Sequence, residues 1–151
     1  IVCPGAEEYA KLAIDQFEDR WREETLAMDL WFRIQSENWR SRGLERVQKL
    51  MSHPLFSMRN PNKVRMVIGA YCYNNLVNFH ECEGGGYDFL AQHILELNQI
   101  NPQVGANLVT PLTNWRKYAS PHGTMMRDAL EKIASHGSLS KDIHEIVSKS
   151  L

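Results

Sequence analysis

His53-Pro54-Leu55-Phe56-Ser57-Met58-Arg59-Asn60-Pro61-Asn62-Lys63-Val64-Arg65-Met66-Val67-Ile68-Gly69 is a stop followed by a start. His53-Pro54 closes the helix before it, because the residue ahead of a proline is pushed out of the α region. Asn60 suits the cap of the next helix. Its side-chain oxygen takes the first free amides, and Pro61 at the first helical position has no donor to leave unpaired. The new helix puts Val64, Val67 and Ile68 on one face, Lys63 on another, and Arg65 at the edge of the buried face, within reach of a cavity or groove.

Outward from this joint, both halves read as helix after helix. Upstream, Pro4-Gly5 leads into a helix from about Ala6 to Asp19, with Tyr9, Leu12, Ala13, Gln16 and Phe17 as its apolar stripe and a corner at Arg20-Trp21. Glu23 and Glu24 suit the start of a second helix carrying Leu26, Met28, Leu30, Trp31, Phe32 and Ile34. Ser36 to Gly43 reads as a loop, and Leu44, Val47, Leu50 and Met51 mark a third helix. Downstream, the fourth helix continues to Cys72 and is broken by Asn74 and Asn75. A short turn at Leu76, Val77 and Phe79 and a flexible loop from His80 to Gly86 precede a long helix from about Tyr87 to Gln99. Asn101-Pro102 repeats the cap-then-proline start. Thr110-Pro111 is expected to begin a new helix with Leu112, Trp115 and Tyr118. Ser120-Pro121 opens one that closes near Gly137, and the last runs from Ser140 to Leu151.

No stretch alternates as a strand does. The expected fold is all-α, with antiparallel helix pairs and prolines at the corners in a HEAT/armadillo-like superhelix. A compact helical bundle is the competing architecture, since no strict sequence period is visible.

The 151 residues read as one domain spanning 1–151. Lys and Arg number 17 against 18 Asp and Glu, a formal net charge of −1, so nothing draws the whole chain toward nucleic acid or an anionic membrane. Three cysteines (Cys3, Cys72 and Cys82) fit a reducing, cytoplasmic setting better than a disulfide framework. There is no basic-then-apolar leader and no run long enough to span a bilayer. The start at Ile1-Val2 rather than methionine reads as a fragment of a larger multidomain protein.

Catalytic signatures fail in turn. A zinc hydrolase needs a second histidine one helical turn after a His-Glu pair. His80-Glu81 has Gly84 there, and His144-Glu145 has Ser148, so no catalytic residue and no metal ligand is assigned. His80, Glu81, Cys82 and Glu83 read as a solvated turn rather than a metal site, and the three following glycines lack the lysine of a phosphate loop. Cys72 reads as a core residue, and Cys82 has acidic neighbours that raise a thiol pKa. Arg40, Arg42, Arg46 and Lys49 with Trp39, extended by Arg59, Lys63 and Arg65, are interleaved with acids and read as a solvated face with local ion pairs. Trp21, Trp31, Trp39 and Trp115 read as packing between helix pairs.

Several blocks are more specific. Glu18-Asp19-Arg20-Trp21, Met28-Asp29-Leu30-Trp31-Phe32, Phe56 to Arg65, Phe79-His80 with Gly86-Tyr87, Leu97-Asn98 and Asn101-Pro102-Gln103-Val104 resemble the C-terminal helical domain of bacterial aminopeptidase N, the zinc-dependent alanyl aminopeptidases of the gluzincin clan. The resemblance runs from about Trp21 to the end with spacing kept. It implies a parent metalloprotease that removes N-terminal residues in peptide degradation. Its zinc and its Gly-x-Met-Glu-Asn amine-recognition motif would lie in an upstream catalytic domain, and no cofactor would lie here. The implied role is a non-catalytic wall that encloses the active-site chamber and gates peptide entry. The implied partners are the catalytic domain and peptide substrates, with no nucleic acid and no membrane. Arg65 matches an arginine that projects into the family's chamber, and Gln103 matches a polar residue facing it. One turn on, enterobacterial members carry an arginine where this sequence has Asn107, so substrate preference does not transfer simply. The alternative function is a free-standing helical-repeat scaffold that binds protein partners.

Overall fold

The structure, a computed structural model, describes residues 6–40 and 42–151, with the side chains of residues 6 and 7 left aside. Cys3 and the Pro4-Gly5 lead-in fall outside the described residues. The elements in order are α1 (Ala6–Trp21), α2 (Thr25–Ser36), α3 (Gly43–Met51), α4 (Pro61–Val64), a π turn (Arg65–Gly69), α5 (Ala70–Asn74), α6 (Leu76–Phe79), α7 (Gly85–Ile100), α8 (Pro102–Thr113), a 3-10 turn (Trp115–Lys117), α9 (His122–Ala134) and α10 (Lys141–Ser150). No strand occurs among the described residues, and the fold is all-α and solenoid-like.

The helices pack on elements close by in the chain, though not always on the next one. α1 lies on α2, α2 on α3 and the π turn, α7 on α8 and α9, and α8 on α10. The short α6 joins the halves by touching both α3 and α7. One core runs through them, from Met28 and Phe32 through Val64, Val67, Ile68 and Tyr71 to Leu90, Ile94, Leu130, Ile143 and Val147. Burial of this apolar surface is the main term holding the helices together.

The joint behaves as its residues dictate. The Asn60 side chain accepts from the amides of Asn62 and Lys63, with Pro61 at the first position. Asn101 accepts from Val104 N in the same arrangement. The break at Asn75 is built rather than merely permitted: its buried amide donates to Ser36 O at 2.9 Å and Asn38 O at 3.3 Å, tying α2 to the start of α6. His53 reaches back to Glu18 at 2.9 Å, which fastens α1 to the joint.

Several sequence expectations are corrected. α1 runs on to Trp21, so Arg20-Trp21 is helix and not corner. Its expected buried stripe is bare: Tyr9, Leu12 and Phe17 are exposed, as are Ala13 and Gln16, and only Ile14 packs on the core. On α2, Met28, Trp31 and Phe32 are buried, whereas Leu26, Leu30 and Ile34 stand exposed one turn apart. Lys63 is sealed inside, its Nζ 2.6 Å from Asp29 Oδ1 and 5.0 Å from the centre of the Phe32 ring.

The glycine segment is not a loose loop, because α7 already begins at Gly85. Gly84 takes φ +72, where other residues are strained, and a Cβ on Gly86 would stand 2.5 Å from Phe79 O. Thr110-Pro111 does not start a helix, since α8 passes through Pro111 to Thr113 and is followed by the 3-10 turn.

Candidate functional site

Proline inside a helix leaves one carbonyl without its partner, the one four residues earlier. In α8 that carbonyl belongs to Asn107. It is not left idle, because the Tyr73 hydroxyl donates to it at 2.7 Å. This bond fastens α5 to α8 at a pocket of about 310 Å³ that both residues line.

The pocket is built from four elements. Arg65, Met66 and Gly69 come from the π turn, with Ala70, Tyr73 and Asn74 continuing into α5. Val104, Asn107 and Leu108 come from α8, and Arg33 comes from α2. In a π turn each amide reaches five residues back, which widens the turn, and such turns often mark functional positions. Here the widened turn begins at Arg65, whose side chain is exposed.

The lining is apolar below and cationic at the rim. Arg65 uses one terminal nitrogen on Asn62 Oδ1 at 3.1 Å. Arg33 pairs with Glu37 through Nε at 2.7 Å. Glu37 is held in turn by the Asn74 amide at 2.6 Å. Two guanidinium groups over an apolar floor suit a ligand with a carboxylate or peptide carbonyl and an apolar body. The phenol of Tyr73 is pushed above its ordinary range, chiefly by burial, so at neutral pH it keeps the proton it donates.

Arg65 and Asn107, singled out by sequence, therefore meet in one pocket. Gln103 is exposed on the first turn of α8 and does not line it. Arg33 and Tyr73 were missed. The signal for Tyr73 was available: Pro111 inside a helix implies a free carbonyl at Asn107 that needs a donor. Arg33 carried no such signal, because only the packing of α2 on the π turn brings it to the rim.

Elsewhere, Cys72 is buried and its thiol is pushed well up by burial, which suits a core residue. The basic face is engaged locally: Arg42 meets Glu45 at 3.2 Å, Arg46 donates to Gln35 at 3.2 Å, and Lys63 is buried against Asp29. Among the described residues no three of His, Cys, Asp and Glu converge as a metal would need. No described helix is long and apolar enough to cross a membrane.

Residues 2–151 match a family model described as "Domain of unknown function (DUF3458_C) ARM repeats". The chain is similar to proteins named Aminopeptidase N. It is 41% identical over 139 residues to that of Caulobacter vibrioides, covering 92% of this chain and 16% of the relative. For Haemophilus influenzae the identity is 39% over 135 residues, covering 89% and 16%. For Escherichia coli it is 37% over 138 residues, covering 91% and 16%. The chain thus spans 16% of the length of each of these relatives.

Proposed function

The chain belongs to the DUF3458_C ARM-repeat family, the C-terminal helical domain of aminopeptidase N, and from that premise we propose that it walls the substrate chamber of a peptide-trimming zinc enzyme. It contributes no catalytic group. In this reading the zinc is held by the rest of the parent protein. The role of this chain is to exclude folded protein and orient the tail of a peptide whose N-terminus lies at the zinc.

The observation that carries this reading is the pocket where Arg65 and Arg33 overhang an apolar floor beside Asn107. A peptide is long enough to reach such a group when its first residue is being cleaved, whereas a single-residue amide is not. The bare stripes of α1 and α2 support the same reading. Tyr9, Leu12 and Phe17 on one helix and Leu26, Leu30 and Ile34 on the other are exposed apolar surface of the kind that marks contact with further protein. The parent's catalytic domain is the proposed partner there, in the cytoplasm.

The test is reconstitution. The chain is mixed with the separately expressed remainder of the parent, and an alanine amide substrate is assayed beside a longer peptide. Restored or altered activity, with none from the chain alone, supports the gating role. A stable chain that neither associates nor changes the rates supports the free-standing scaffold instead. In the full parent, Arg65→Ala raises KM for peptides more than for the amide, and equal effects on both remove Arg65 from the role.

A further inference from the structure

The turn that joins α6 to α7 is linked to the start of α9 by the Tyr87 hydroxyl. The Tyr87 oxygen lies 2.7 Å from His80 Nδ1 and 3.2 Å from His122 Nδ1. The two imidazole centres are 6.4 Å apart, Tyr118 stacks on His80 at 4.5 Å, and Phe79 stands edge-on to it at 5.0 Å. We propose that His80, Tyr87 and His122 form a proton-binding triad that accommodates one added proton and is opened by a second, making the joint between the α6–α7 turn and α9 a pH-sensitive latch.

The argument counts protons. A phenol has one O–H to donate and lone pairs to accept. With both imidazoles neutral, Tyr87 donates to one Nδ1 and accepts from the Nδ1–H of the other, so all three groups are satisfied. One added proton is tolerated either at the free Nε2 of the ring already donating, with no rearrangement, or by reversing the chain. On reversal the charged ring donates to the Tyr87 oxygen, and the Tyr87 hydrogen turns to the neutral ring, now in its other tautomer. A second proton puts an N–H at both Nδ1 positions. Both point at one oxygen, whose own hydrogen then has no acceptor within the triad.

The surroundings also resist the second charge. His122 is the first residue of the 13-residue α9. His80 is held below its ordinary range by burial and, secondly, by His122. Burial, with Tyr118, lifts Tyr87 to about 12, so it remains a phenol throughout.

Among the described residues no carboxylate is paired with either ring of the triad. The one histidine–carboxylate pair among the described residues is His53 with Glu18. From the turn itself, Glu81, Cys82 and Glu83 are exposed. From α7, Asp88 is committed to Lys132. From the 3-10 turn, Arg116 binds the carbonyls of Ser150 and Leu151, and Lys117 is exposed. From α9, Arg127 is committed to Glu131, and Asp128 is exposed.

The test is an NMR titration of the imidazole signals of the chain between about pH 5 and pH 8. The expected result is two steps separated by about one pH unit or more, as for any strongly coupled pair. The lower step coincides with loss of hydrogen-exchange protection in the first turn of α9, at Gly123 to Met125. A single shared step, or two steps with protection unchanged, overturns the latch. Tyr87→Phe brings the two steps together. His122→Gln gives the comparison from the other end, with His80 moving up toward the ordinary imidazole range. A His80 midpoint unmoved in both variants also overturns the proposal.

Discussion

The hydroxyl of Tyr73 donates to the carbonyl of Asn107, the group that Pro111 leaves without an amide one turn later in α8. A helix defect and a tertiary contact are therefore one feature. The carbonyl freed by proline becomes the anchor that holds α5 against α8 at the pocket. Tyr73→Phe should cost about 0.5–1.5 kcal/mol, the usual worth of such a bond. Pro111→Ala restores an amide that competes for the same carbonyl, so Tyr73→Phe should cost less in that background. Urea unfolding of the two single variants and the double variant measures the coupling, and strict additivity refutes the shared-carbonyl account.

A second relationship decides how α2 meets the joint. Lys63 and Asp29 are buried partners at 2.6 Å. Removing either alone leaves a buried charge, which typically costs about 3–5 kcal/mol. Lys63→Met and Asp29→Leu should each be strongly destabilising, whereas the pair together should recover most of the loss. A double variant as unstable as the sum of the singles would falsify the charge-pair reading and point to packing.

Gly86 and Gly137 make opposite predictions from the same substitution. A Cβ on Gly86 meets the Phe79 carbonyl oxygen at 2.5 Å, and backbone cannot yield as a side chain does. Gly86→Ala should destabilise by about 1–3 kcal/mol, as overpacking does. Gly137 has nothing within 4 Å of the added carbon, so Gly137→Ala should change stability by no more than about 0.5 kcal/mol. Thermal melts of the two variants side by side check the contrast.

Stability should fall at both ends of the pH scale. His80 is lowered in the folded state by burial and His122, so the unfolded chain binds more protons below the ordinary imidazole value of 6.5. Its contribution is present above that value and is lost as pH falls toward the folded one. Cys72, Tyr71 and Tyr87 are raised, each chiefly by burial, so the folded chain holds protons that the unfolded chain releases. Their contribution is present below the ordinary thiol and phenol values of 9.0 and 10.0 and is lost as pH rises past them. The urea midpoint should be level between about pH 7 and about pH 8.5 and decline on either side. His80→Phe should flatten the acid side, and an unchanged acid slope would remove His80 as its cause.

Much of this chain was legible one residue at a time, because local rules decide helix ends. Asn60-Pro61 and Asn101-Pro102 cap their helices through contacts within three residues, and no distant partner is needed. Apolar spacing likewise placed Val64, Val67 and Ile68 in the core. The all-α solenoid-like fold follows from such units repeated, and the quoted sequence blocks point to the family by themselves.

What only the tertiary structure decided is which apolar stripes find a partner and which polar groups are brought together. Tyr9, Leu12 and Phe17 have helical spacing as regular as any buried set, yet they stay exposed because no described helix lies over them. Lys63 reads as a surface cation, yet it is buried because Asp29 comes to it from 34 residues away. Helical periodicity fixes a direction relative to the helix axis, and burial depends on what another helix places there. The same holds for the pocket and the triad: Arg33 with Arg65, and His80 with His122, become neighbours only when the helices pack.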